Sequence, residues 1–249
     1  MEHLEKYNVR CLSVSALKVI AMVLMLCDHL WATIVPGNLW MTCVGRLAFP
    51  IFAFQVVEGY FCTHDFRAYL KRLVLFALIS EIPFNLMAGG YWLHPFHQNV
   101  MFTFVLSLLI LRKVDQAKQK GIGWYALTLL LWSTIGYLLG TALFVDYYGY
   151  GVLIVLLFYV TRGVPYGRLL QLLGMIFINC ELMKGQFIPV ELGGKTLELS
   201  IQGLAVLALI PIWMYNGEKG KHGALIQKIC YVFYPAHILV LSVVGLFLL

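Results

Sequence analysis

Nine apolar runs, at about 13–35, 40–61, 69–88, 99–112, 122–145, 147–161, 167–180, 201–215 and 226–249, take up most of this 249-residue chain. A helix of roughly 20 apolar residues crosses the hydrocarbon core of a bilayer, and in hydrocarbon the backbone groups of such a segment have to be satisfied internally. Composition agrees: 61% of residues are hydrophobic, 12% are charged and the mean hydropathy is +0.83. Soluble domains carry roughly 25% charged residues, so a soluble enzyme is excluded. The expected fold is all-α, a polytopic membrane helix bundle of about nine transmembrane helices (eight to ten), forming one domain over 1–249. The fourth, sixth and seventh runs are short, as tilted or re-entrant pieces would be.

Basic residues give the orientation. With the N-terminus cytoplasmic and nine spans, one side collects Lys6, Arg10, Arg67, Lys71, Arg72, Arg112, Lys113, Lys118, Lys120, Arg162, Arg168, Lys219, Lys221 and Lys228, and the other only Lys184 and Lys195. Lys18 and Arg46 lie inside spans. Cytoplasmic loops hold such charges beside anionic headgroups, so the net charge of +6 speaks for membrane lipid as a partner and against nucleic acid. The opening MEHLEKYNVR carries both signs of charge and no small-residue cleavage site follows, so the first span is expected to be retained, with Leu249 outside. The six cysteines show no Cys-x-x-Cys and read as packing residues.

Ionisable residues inside spans are expensive and default to a functional reading. Asp28 and His29 adjoin within the first run, and Lys18 lies on the same helix face as His29, roughly 16 Å away along the axis. The alternative is a snorkelling lysine and a hydrogen-bonded core histidine. In GRLAFPIFAF, Pro50 leaves the carbonyl of Arg46 without its helical donor, so a kink is expected where a guanidinium is buried. Asp28 is the simplest partner for Arg46, and Glu58 for Lys18. Glu81 precedes Pro83, which is expected to break the third span. His94 and His97 share a connector with aromatic residues; no nearby ligand completes a site, so no metal is expected. Asn99 is placed to cap the next helix, with Thr103 one turn on. The glycines of Asp146-Tyr-Tyr-Gly-Tyr-Gly151 permit close approach of either a helix or a ligand. His237, two residues after Pro235 in the last span, is a second candidate base.

These pieces (Lys18, Asp28-His29, Gly45 to Ala53, Glu81 to Phe84, Asn99 to Thr103, Tyr148 to Tyr159 and Phe233 to His237) resemble the TraX family of bacterial integral membrane acetyltransferases. More distantly they are similar to membrane acyltransferases that O-acetylate surface glycans and to heparan-α-glucosaminide N-acetyltransferase. The resemblance implies transfer of acetyl from cytosolic acetyl-CoA to an amine, or a hydroxyl, at or across a bacterial cytoplasmic membrane. The basic residue and histidine that accompany transfer in those enzymes fall on Lys18 and His29. The conjugative-plasmid member caps a pilin N-terminus, but Glu58-Gly59 and Glu81 are closer to the stand-alone members.

The resulting expectation places His29, Asp28, Arg46 and His237 in catalysis. Lys18, Lys71, Arg72, Arg168, Lys228 and Tyr234 hold acetyl-CoA, with Arg162 also at its mouth. Glu81, His97 and Asn99 meet the acceptor, a small-molecule or peptide amine. A phosphate-bearing nucleotide needs a basic cytoplasmic mouth, and a pantetheine arm of roughly 15 to 20 Å matches the Lys18–His29 stripe. A transporter using the same polar stripe is the alternative, weakened by the absence of a visible internal repeat. A non-catalytic assembly factor would leave Asp28, His29 and Arg46 purely structural.

Overall fold

The computed structural model describes residues 10–192 and 195–248; the expectations for Lys6, the residues before Arg10, Leu249 and the side chain of Lys195 lie outside the described residues. Within them, all nine apolar runs are helical. Helix α1 (Val14–Thr33) starts at Ser13, whose hydroxyl accepts from Ala16 N at 3.2 Å. The second run forms α2 (Leu39–Gly45) and α3 (Ala48–Cys62), parted at Arg46–Leu47. This is the expected kink: Pro50 falls in the first turn of α3, where a missing N–H costs little, and the chain bends just before it.

Helix α4 (Phe66–Gly89) starts on the Asp65 carboxylate, which accepts from Ala68 N at 2.9 Å, and ends at Gly90, whose φ of 71° is a left-handed cap. It corrects one expectation, since the helix runs unbroken through Pro83. The Pro83 carbonyl accepts from Ser242 Oγ of the last helix at 3.3 Å, and this kind of neighbour contact keeps prolines tolerable inside membrane helices. Helix α5 (Val100–Ala117) opens on the Asn99 cap, Oδ1 accepting from Met101 N at 3.0 Å. Helices α6 (Ile122–Ala142), α7 (Tyr148–Thr161) and α8 (Gly167–Ile176) follow, α8 continuing as a π-turn over Phe177–Leu182. A 3-10 stretch (Gln202–Ala208), short α9 (Leu209–Trp213) and long α10 (Gly223–Leu248) complete the chain, α10 also passing unbroken through a proline, Pro235.

Two strands correct the strictly all-α expectation to nearly all-α. Strand β1 (Phe187–Leu192) pairs antiparallel with β2 (Lys195–Ser200), Phe187 opposite Ser200. FIPVEL and KTLELS flank Gly193-Gly194, a readable hairpin pattern. Among the described residues five helices are long and apolar enough to cross a membrane alone: Val14–Thr33, Leu39–Cys62, Phe66–Gly89, Ile122–Ala142 and Gly223–Phe247. The remaining four runs are shorter, or end in charge as α5 does at Arg112-Lys113, so this measure gives five spans and not nine.

Helices alternate end to end. One end collects the start of α1, whose Leu12 N bonds Met214 O at 2.9 Å, with Arg162 against Glu58 and Arg112 against Phe66. This is the basic end. Asp28, Arg46, Glu81, Asn99, Asp146 and His237 gather at the opposite end or in its half of the bundle. Helices α3, α5 and α7 supply much of the buried interior, including Ile51, Leu108, Leu111, Val152, Ile154 and Val155. The glycines of the 146–151 segment serve helix contact: a Cβ at Gly149 would strike the Tyr137 backbone of α6, and one at Gly151 would strike Thr103 and Phe49.

Candidate active site

Asp28 and Arg46 form the expected pair. Arg46 Nη2 donates to Asp28 Oδ1 at 3.0 Å and to Thr42 Oγ1 at 2.8 Å, while the Thr42 hydroxyl donates to the same Asp28 oxygen at 2.7 Å. Thr42 of α2 and Arg46, the residue that caps its end, thus clamp one carboxylate of α1. A Cβ at Gly45 would overlap the Asp28 side chain, so this glycine lets α2 approach. Thr42 was not expected from sequence, although its spacing of four from Arg46 puts both on one helix face. Among the described residues the buried Arg46 Nε has no hydrogen-bond partner.

His29 and His237, read from sequence as alternatives, are brought together. His29 Nδ1 and His237 Nε2 are 2.8 Å apart, with ring planes within 6° of parallel. His237 Nδ1 donates to the Phe233 carbonyl at 2.6 Å, and the Phe233 ring lies parallel to the His237 ring at 4.4 Å. His237 is buried, and the His29 carbonyl accepts from Thr33 Oγ1 at 2.6 Å.

A second polar group continues the same end. Glu81 Oε2 accepts from Asn99 Nδ2 at 2.6 Å, and Asn99 Nδ2 also donates to Ala77 O at 2.9 Å, tying the start of α5 to α4. His97 Nε2 lies 3.7 Å from Asp146 Oδ1, and that carboxylate raises the His97 pKa above its ordinary value. The Asp146 carbonyl accepts from Thr103 Oγ1 at 2.6 Å. Glu81, His97 and Asn99 are therefore assembled as one cluster, with Asp146 added. Tyr147 is a further residue that the sequence reading missed. Its φ of 61°, with 52° at Phe144 and 48° at Tyr148, marks a strained loop of aromatic residues, and its ring stacks on Phe49 at 3.9 Å. His97 meets Asp146 while the His94 ring lies edge-on to Phe96, and among the described residues no three His, Cys, Asp or Glu side chains are grouped to hold a metal.

A cavity of ≈ 510 Å³ lies between α1, α3, α4, α5 and α10. Cys62, Thr63, His64, Gly217 and Lys219 line it at the basic end; Met25, Met101 and Tyr234 line it deeper in the bundle. Of the residues expected to hold an acyl donor, Lys18, Arg72 and Tyr234 line this cavity. Lys71, Arg168 and Lys228 do not: Lys71 and Lys228 are exposed elsewhere, and Arg168 donates to Trp213 O at 3.3 Å. Glu58 also lines it, but its partner is Arg162 (Nε–Oε1 2.7 Å) and not Lys18, because Arg162 at the end of α7 reaches the end of α3. Among the described residues Lys18 has no carboxylate within ion-pair distance. His29 lies one turn beyond Met25 on α1, and Tyr234 one turn before His237 on α10, so the histidine pair sits about one helical turn past the cavity's deep end, neither ring being part of its lining.

Comparison with known proteins gives this arrangement a family. The model for TraX protein matches residues 13–245. The chain belongs to the TraX family. The TraX match encloses every candidate residue from Lys18 to His237. A curated relative, the probable fimbrial assembly protein FimC, serogroup H1, of Dichelobacter nodosus, is 30% identical over 255 residues, covering 93% of this chain and 95% of the relative. No solved structure matches.

Proposed function

We propose that this TraX protein transfers an acetyl group from acetyl-CoA to an amine, with His29 as general base. One observation carries the reading: a cavity lined by Lys18, Arg72 and Lys219, whose only lining carboxylate among the described residues, Glu58, is paired with Arg162, runs from the basic end to within about one helical turn of a histidine pair. Its net positive lining suits a phosphate-bearing donor, and its volume is that of an ordinary small-molecule site.

His29 Nε2 takes one proton from the acceptor ammonium, leaving an electron pair on nitrogen that bonds to the thioester carbonyl carbon. As the C–S bond breaks, that proton returns from His29 to the leaving sulfur. A second proton leaves the new amide nitrogen for solvent, so one ammonium and one thioester give one amide, one thiol and one proton. The Asp28–Arg46 pair holds α2 against α1 beside His29. Glu81, His97 and Asn99, with Asp146, form the side from which the acceptor arrives. A cytoplasmic N-terminus in a bacterial inner membrane puts the donor mouth in the cytosol, at the end of the bundle where the cations gather. The fimbrial relative makes an amine of a surface-fibre subunit the first acceptor to try.

Purified protein in detergent, given labelled acetyl-CoA and peptides with free N-termini, is expected to label the peptide and release CoA thiol in equal amounts. Absence of both with every amine offered overturns the reading. Independently, a variant keeping only Cys230, which lines the cavity, is expected to lose reactivity toward a maleimide when acetyl-CoA is present.

A further inference from the structure

The hydrogen bonds between α1 and α10 have a direction. A carbonyl oxygen only accepts, so the 2.6 Å contact with the Phe233 carbonyl requires a proton on His237 Nδ1. In a neutral His237 the other nitrogen, Nε2, is then a bare acceptor. The 2.8 Å contact with His29 is therefore donated by His29 Nδ1. A neutral His29 has no second proton, so its Nε2 carries a lone pair. That atom makes no hydrogen bond among the described residues. Of the two His29 nitrogens, one is satisfied by His237 and the other is left without a partner among the described residues, about one helical turn past the cavity's deep end.

We propose that His237 is a positioning residue that holds His29 in the Nδ1–H tautomer, with the Phe233 carbonyl as the anchored end of a relay and His29 Nε2 as the atom that receives the proton. The geometry stands by itself; the chemistry rests on the acetyltransferase reading. When Nε2 takes the ammonium proton, the N–H bond of the acceptor breaks and its electron pair stays on the amine. The imidazolium so formed keeps its Nδ1–H on a neutral acceptor, His237 Nε2, which stabilises the positive charge without a carboxylate. Asp28, the adjacent acid, is not free for that task because Arg46 and Thr42 occupy it. Parallel contact with the Phe233 ring, 4.4 Å away, and the bond to the Phe233 carbonyl together hold the His237 ring in place.

Nitrogen NMR of full-length protein labelled with ¹⁵N-histidine in detergent tests the tautomer without any substrate. The signals lost in a His29→Asn variant are expected to be a protonated Nδ1 and an unprotonated Nε2. Kinetics then separate positioning from structure. His237→Leu removes the acceptor and is expected to lower kcat about 100-fold with the KM for acetyl-CoA unchanged. In His237→Gln the amide can accept from His29 and donate to the carbonyl, so it is expected to stay within about 10-fold of the parent. A His29 found protonated at Nε2, or a His237→Leu protein that turns over at the parental rate, overturns the relay. A parent protein that shows the expected tautomer but transfers no acetyl to any amine overturns the acetyltransferase reading alone and leaves the relay in place.

Discussion

The two ends of this bundle use charge in different ways. At the basic end, Lys71, Arg168 and Lys228 are exposed, and Asp115 accepts from Tyr60 at 2.9 Å and from Tyr159 at 2.6 Å while Lys118 lies 3.6 Å away. These charges have water or headgroups to turn to. Toward the opposite end, Asp28 and Arg46 are about three-quarters covered, and His237 is buried, so each has to find its partner inside the protein. Charges near water can be numerous without being individually important, whereas those at depth survive only in matched sets. Single substitutions should therefore act in opposite proportion to how common such residues are at each end.

The largest effect is expected at the histidine pair. His29→Ala should lower acetyl transfer by roughly 100- to 10,000-fold, the usual contribution of a positioned base, with thermal unfolding in detergent near that of the parent. A stable variant with parental turnover would make the pair structural and erase the contrast between the ends. Next comes the ion pair. Asp28→Asn or Arg46→Gln alone leaves an unmatched charge and should cost about 3 to 5 kcal/mol, while the double variant should recover part of that loss without recovering turnover. Additive losses in melting temperature would show that the two side chains act separately.

The basic end divides by position. Arg72→Gln, on the cavity, should raise the KM for acetyl-CoA several-fold more than that for acetyl-pantetheine, because only the full donor carries the nucleotide phosphates. Arg168→Gln and Lys228→Gln, away from the cavity, should leave both KM values near parental. Equal effects from all three would mean that the mouth is a diffuse field and not this cavity. The smallest expected effect concerns pH. Asp146 raises the His97 pKa, so the folded state binds that proton more tightly than the unfolded chain does. The resulting stabilisation is full below the ordinary imidazole value of about 6.5 and is lost as pH rises through the raised folded value. With the His97 side chain 39% exposed, it should stay below about 1 kcal/mol. His97→Gln should remove that pH dependence from melting curves; a variant that keeps it would assign the effect elsewhere.

Much of the candidate site was legible in the sequence because an apolar segment makes every polar residue conspicuous. Asp28, His29, Arg46 and His237 stood out on that ground alone, and the Asp28–Arg46 pair followed from needing neutrality at similar depth. Thr42 and Tyr147 did not stand out: a threonine is unremarkable in a membrane helix, and Tyr147 matters through a left-handed backbone that no composition signals. Glu58 was matched to the wrong cation. Lys18 and Arg162 are both compatible with its depth, and the choice between them lies in how α7 packs beside α3. The hairpin at Phe187–Ser200 was readable from its alternation across Gly193-Gly194, but the apolar runs on either side drew the reading toward helices and connectors.

Sequence by itself determined that this chain is a multipass helical membrane protein with its cations gathered at one end, since the lack of backbone partners in hydrocarbon leaves an apolar segment little choice but to be helical. It also determined which residues needed partners. Tertiary structure decided who those partners are, because pairing depends on which helix faces meet. Packing brought His29 of α1 against His237 of α10, 208 positions apart, gave Glu58 to Arg162, and carried α4 and α10 unbroken through their prolines. It also placed Lys18, Arg72 and Tyr234, from three different helices, around one cavity.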